Sequence, residues 1–128
     1  MTILKINTHS RESMIDITEE VKSAIKSSGI KDGICTVFVP HTTAGVTINE
    51  NADPDVKDDI IRGLDEIIPN IRFKHMEGNS DAHIKSALVG NSANLIVENG
   101  EIQLGTWQGI YFCEFDGPRS RKVYIKVI

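Results

Sequence analysis

Apolar and polar residues alternate or recur along most of this chain with spacings that separate strands from helices. Thr2 to Thr8 alternates weakly through Ile3, Leu4 and Ile6 and predicts a strand near a sheet edge. Ile17 to Ser28 carries Val21, Ala24 and Ile25 at helical spacing, with Thr18 placed to cap and Gly29 to terminate. Ile34 to Val39 is β-branched and aromatic, lies between Gly33 and Pro40, and predicts a buried strand. Gly45 is expected to turn the chain into a second short strand, Val46 to Glu50.

Asp53-Pro54-Asp55 then supplies a cap, a first-turn proline and acids at the positive end of a helix dipole. Val56, Ile60, Ile61, Leu64 and Ile68 mark the core face of that helix, and Pro69 stops it. Residues 70 to 79 read as irregular, with a turn at Gly78-Asn79. Ser80 to Val89 predicts a third helix capped by Ser80, with Ile84, Ala87 and Leu88 facing inward. Asn94 to Glu98 and Glu101 to Leu104 flank Asn99-Gly100, a hairpin signal. Gln108 to Asp116 and Arg121 to Ile128 complete about seven strands and three helices. Their non-alternating order predicts an α+β fold with mostly antiparallel sheet and disfavours a doubly wound parallel one.

Length and composition narrow the class. The 128 residues suit one domain spanning 1–128, and 40% hydrophobic with 25% charged residues suits an ordinary globular protein. A net charge of -4 argues against whole-surface attraction to nucleic acid or acidic membrane. The N-terminus resembles no secretory signal and no apolar run reaches membrane-spanning length, so a cytoplasmic protein is expected. Cys35 and Cys113 lie in strand-like segments without CxxC spacing and read as small buried hydrophobes.

Three stretches concentrate chemistry. Pro40 to Val56, PHTTAGVTINENADPDV, sets His41 beside Thr42 and Thr43 at a strand end and continues through Asn49 into the second helix. Oxygen and imidazole groups at the end of a rigid element suit a metal or phosphate site. His75 and His83 lie eight residues apart across a turn, and three imidazoles with an open position suit zinc. The alternative, histidines as surface or hydrogen-bonded core residues, stays open on spacing alone. Glu77 and Asp81 flank the pair as candidate acid–base or ligand-orienting carboxylates, with a dipole role open for Asp81. In Leu104 to Val123, Trp107 sits between two glycines and Arg119 and Arg121 share a turn, a pattern that suits phosphate. A turn whose arginines pair with Asp116 or Glu114 remains the alternative. Glu114 shares a strand face with Ile110 and Phe112, so it is paired or functional.

HTTAGVTINENADPDV, HMEGNSDAHIK and LGTWQGIYFCEFDGPRSRKV together resemble the YjbQ family, also called the secondary thiamine-phosphate synthase family. The resemblance covers the whole chain. It implies a three-layer sandwich of packed antiparallel β-sheets with helices on one side, a homotrimer, and a metal site near the subunit boundary formed by His41, His75 and His83. It also implies formation of thiamine phosphate from a pyrimidine diphosphate and a thiazole phosphate. From the residues themselves, Arg119 and Arg121 are expected to hold phosphate, Thr42, Thr43, Asn49, Asn79 and Trp107 to contact substrate, and Glu77, Asp81 and Glu114 stand as the candidate catalytic carboxylates. The histidines favour zinc, while a diphosphate substrate suits magnesium. A metal-dependent hydrolase of a phosphorylated metabolite, and a non-catalytic metal- or ligand-binding trimer, stand as alternatives.

Overall fold

Eight strands and three helices make up the computed structural model, which describes residues 1–69 and 71–128; Asn70, the first residue of the stretch expected to be irregular, lies outside them. In chain order they are β1 (Thr2–Asn7), β2 (Ser13–Asp16), α1 (Thr18–Ser28), β3 (Gly33–Phe38), β4 (Ala44–Glu50), α2 (Pro54–Ile67), α3 (Ser80–Val89), β5 (Ser92–Glu98), β6 (Glu101–Ile102), β7 (Gln108–Glu114) and β8 (Ser120–Val127). They form a five-stranded sheet ordered β1-β8-β3-β5-β6 and a three-stranded sheet ordered β2-β7-β4. Every pairing is antiparallel. The fold is therefore the α+β class that the pattern predicts.

Strand β7 explains the layering. All its residues from Gly109 to Glu114 are buried, because apolar material lies on both faces of the small sheet. Ile110 and Phe112 point into a cluster with Val37, Val123 and Ile125 of the large sheet and with Val21 and Ile25 of α1. Tyr111 and Cys113 point the other way, with Phe115 just beyond the strand, into a second cluster where Ala82 of α3 and Ile60, Ile61 and Leu64 of α2 pack. The period of two in the strand thus divides one buried run between two cores. Helices α2 and α3 cover the outer face of the small sheet, and α1 packs into the core between the sheets.

Several local expectations change. Strand β2 falls in a segment with no predicted element; its four residues pair Ser13 to Asp16 with Glu114 to Tyr111. Thr18 does not cap α1. The Asp16 carboxylate accepts from the Thr18 amide at 2.9 Å, and the Thr18 hydroxyl accepts from the Ile110 amide at 2.9 Å. Strand β3 is buried only at alternate positions, with Ile34 and Phe38 exposed on the outer face of the large sheet. Strand β6 ends at Ile102 rather than Leu104. Asp53 caps α2 as expected, accepting from the Asp55 amide at 2.9 Å, but none of the residues of α2 is fully buried. In α3 the buried residues are Ala82, Lys85 and Ser86, whereas Ala87 and Leu88 are exposed. Among the described residues no helix is long and apolar enough to cross a membrane.

Gly45 is not a turn. It is the second residue of β4, and a Cβ there would stand 2.5 Å from the Gly90 carbonyl oxygen. Its missing side chain lets the α3–β5 connection lie directly on the strand, where the Val46 amide donates to that same oxygen at 3.1 Å. Gly45→Ala is predicted to force two backbones apart and to destabilise the protein by roughly 1–3 kcal/mol, measured as a lowered midpoint in chemical denaturation.

Candidate functional site

One end of the β4–β7–β8 region gathers most of the chemistry. Its anchor is an ion pair inside the core: Glu114 is fully buried and Arg121 nearly so, at adjacent ends of the small and large sheets. Arg121 Nε donates to Glu114 Oε1 at 2.9 Å and Nη2 donates to Oε2. Nη2 also donates to the Thr43 hydroxyl at 2.9 Å. The remaining capacity of the carboxylate is filled by the Thr8 hydroxyl at 2.7 Å and the Asp116 amide at 3.1 Å. Burial alone pushes the Glu114 carboxyl up, but Arg121, Thr8 and the Asp116 amide together hold it below its ordinary value of 4.5.

Around this pair a hollow of ≈430 Å³ opens. His41 and Thr42 line it from the β3–β4 connection, His75, Glu77 and Asn79 from the segment before α3, and His83 from the first turns of α3. Asp116, Arg119 and Arg121 close the other wall. Arg119 pairs with Asp116, Nη2 to Oδ2 at 2.9 Å, and the Asn79 amide nitrogen donates to the same oxygen at 2.8 Å. Both arginines therefore satisfy the turn carboxylates and still face the hollow.

His75 and His83 stand edge to face with ring centres 5.5 Å apart. Two imidazoles sharing one tetrahedral zinc at Zn–N distances of about 2.0–2.1 Å have ring centres roughly 5 Å apart, so the spacing of the ring centres, though not the direction of their nitrogens, is that of a shared ligand pair. His41 lines the same hollow, but its Nε2 accepts from the Lys122 amide at 2.9 Å. In a neutral ring that bond leaves the proton on Nδ1, so His41 is able to ligate only by giving up one of the two. Burial, then the nearby Arg121 guanidinium, holds its pKa below the usual histidine value. Among the described residues no three His, Cys, Asp or Glu side chains are grouped closely enough to hold a metal ion.

The other expected residues divide. Glu77 lies on the hollow, its Oε1 4.0 Å from His75 Nε2. Thr42 lines it, and Thr43 is buried beneath Arg121. Asn79 lines it with its donor committed to Asp116. Glu114 is saturated by its partners, so it supports the wall instead of meeting a ligand. Asp81 faces a neighbouring hollow, where Arg11 Nη2 donates to both its oxygens at 3.0 and 3.1 Å. Asn49 and Trp107 lie apart from the histidines within the chain. Ala44 pairs with Glu114 at the histidine end of the β4–β7 ladder, whereas Asn49 pairs with Gly109 near the far end, beside Trp107. Five residues of strand separate those ends by about 16 Å.

Sequence reasoning missed a second ionic cluster next door. Lys85 is buried, with Nζ 2.5 Å from Asp65 and 3.1 Å from Glu12, and Asp81 at 3.7 Å. It ties α3 to α2 and to the start of β2. Only the i,i+4 spacing of Asp81 and Lys85 signals it locally.

Two packed antiparallel sheets, helices over the smaller one and a histidine- and arginine-lined hollow at their edge define a small α+β protein with one candidate site. The chain belongs to the YjbQ family: the profile of the UPF0047 protein YjbQ-like family matches residues 2–128. UPF0047 protein MJ1081 of Methanocaldococcus jannaschii is 60% identical over 125 residues, which are 97% of this chain and 91% of that protein. UPF0047 protein YugU of Bacillus subtilis is 58% identical, covering 98% of this chain and 96% of that one. Among solved structures, an uncharacterized conserved protein of the yjbq/upf0047 family from Clostridium acetobutylicum is 56% identical, with a TM-score of 0.97 over 100% of both chains. A YbjQ-like protein of unknown function from Sulfolobus solfataricus is 32% identical, with a TM-score of 0.94 over 98% of this chain and 94% of that one.

Because the unfolded Glu114 carboxyl titrates near 4.5 and the folded one lower, the unfolded state binds the extra proton between the two values. The stabilisation is complete above pH 4.5 and is lost as pH falls through the lower folded value. Glu114→Gln is predicted to remove this acid dependence and, by leaving Arg121 unpaired, to cost about 3–5 kcal/mol near neutrality. Denaturant titrations of both proteins across pH 3 to 7 check it.

Proposed function

We propose that the hollow binds a small phosphorylated metabolite beside a divalent cation held by His75 and His83, with His41 as the third ligand once it releases Lys122. The observation that carries this reading is the convergence of His41, His75, His83, Arg119 and Arg121 on one hollow. Such a cation, zinc by the donor set, would neutralise charge on phosphate oxygens. Arg119, whose Nε and Nη2 donate to Asp116, has its Nη1 end left to offer from the rim, and Arg121, paired with Glu114, lies beneath. Thr42 and Asn79, which also line the hollow, would orient the ester.

A reaction that expels diphosphate builds negative charge on the leaving group, and this lining meets that charge with oriented donors. The thiamine-phosphate synthase reaction implied by the resemblance is of this kind, so a transferase is the reading we favour. Hydrolysis is the second reading, supported by Glu77 on the rim beside His75, where a carboxylate is placed to take a proton from water. A homotrimer is supported by α2, whose apolar residues at helical spacing are only partly covered within one chain, and by the exposed Leu88.

His83→Ala is predicted to abolish zinc retained through purification, while thermal unfolding stays cooperative. Arg119→Ala is predicted to weaken inorganic phosphate about tenfold, near 1.4 kcal/mol, in titration calorimetry. Full zinc occupancy in His83→Ala contradicts the ligand assignment. Glu77→Gln separates the reactions: hydrolysis requires that carboxylate, whereas transfer and binding survive its loss.

A further inference from the structure

The hollow does not end at the histidines. His41, Thr42 and His83 also line a second cavity of ≈360 Å³, whose other residues are Ser86, Ala87, Gly90 and Asn91. His41, Thr42 and His83 are thus common to the walls of both cavities, which stand as two adjacent lobes. The volume of each lobe falls within the roughly 300–1,000 Å³ typical of small-ligand pockets.

The lobes differ in chemistry. The first contains two guanidinium groups and their carboxylates. The second contains no Lys, Arg, Asp or Glu among its described residues. Much of the backbone on its Ser86–Asn91 side is already committed. The Gly90 amide donates to the Ser86 carbonyl at 2.9 Å, the Gly90 carbonyl accepts from the Val46 amide, and the Asn91 carbonyl accepts from the Val39 amide at 2.7 Å. The Ser86 hydroxyl donates to the Ala44 carbonyl at 2.7 Å. What faces a ligand is the small apolar side chain of exposed Ala87 and the Asn91 side chain, which has both donors and an acceptor to offer. The close approach of Gly45 to Gly90 fixes this floor against β4.

We infer that the second lobe holds the uncharged, hydrogen-bonding head of the molecule whose phosphate lies in the first, so that this protein selects phosphomonoesters with compact neutral heads. The inference rests on the phosphate reading above. Beyond the histidines, a charged head of either sign would lose water in this lobe without meeting an oppositely charged side chain. A neutral head presenting a donor and an acceptor is matched by Asn91.

Titration calorimetry with inorganic phosphate, neutral-headed esters (glycerol 3-phosphate, dihydroxyacetone phosphate, erythritol 4-phosphate) and charged-headed ones (3-phosphoglycerate, phosphoethanolamine) tests it. At least one neutral-headed ester is expected to bind about tenfold or more tighter than inorganic phosphate, a gain of about 1.4 kcal/mol, and the charged-headed esters to show no such gain. Ala87→Trp, which fills the lobe from an exposed position, and Asn91→Leu are each expected to cancel the gain and leave phosphate affinity unchanged. The unchanged phosphate affinity also reports that the variants fold. The inference is overturned if no neutral head gains, if charged heads gain equally, or if the gain survives Ala87→Trp. Failure of the unaltered protein to bind inorganic phosphate overturns the phosphate reading itself, and the head-group inference with it.

Discussion

A buried carboxylate and guanidinium, Glu114 and Arg121, hold together the part of the molecule where its chemistry collects. One comes from the small sheet and the other from the large, and both are buried, with Arg121 alone bordering the hollow. Two charges out of water persist only when nearly every hydrogen-bonding position is filled. Thr8, Thr43 and the Asp116 amide fill them. Those partners draw the end of β1, the start of β4 and the turn after β7 to one point. The loop carrying His41 and the turn carrying Arg119 are fixed as a consequence.

A second ionic cluster plays the corresponding part for the opposite wall. Lys85 is pinned by Glu12 and Asp65, and Arg11 holds Asp81 one turn earlier on the same helix. Helix α3 is thereby locked to α2 and to β2, and His83 follows from its position in that helix. His83 is thus set by charges that never face the hollow. Both clusters join segments distant in the chain, so the cleft forms only after the sheets and helices have packed.

That dependence on distant partners explains what the sequence disclosed and what it did not. Helices α2 and α3 announced themselves through local chemistry, Asp53-Pro54 at one start and a polar turn before the other. The inward face of α3 was misjudged because local pattern ranks a lysine as a surface residue, whereas two carboxylates 20 and 73 residues away neutralise Lys85. Gly45 looked like punctuation because its close neighbour, Gly90, is 45 residues further along. Strand β2 is four residues long and leaves too little alternation to read. In the site, residue type was informative for His41, His75, His83, Arg119 and Arg121. Asn49 and Trp107 were grouped with them by composition, and the β4–β7 register carries both to the far end of the ladder.

The central claim is that the Glu114–Arg121 pair organises the hollow and is not required for the fold as such. Replacing both at once, Glu114→Leu with Arg121→Met, removes the charges while keeping similar volume, and such replacements of buried ion pairs commonly leave stability intact. Titration of the doubly substituted protein with inorganic phosphate, alongside its denaturation curve, is the most direct measurement. The account predicts a cooperatively folded protein that no longer binds phosphate. A double variant that folds and binds phosphate as tightly as the unaltered chain would contradict it.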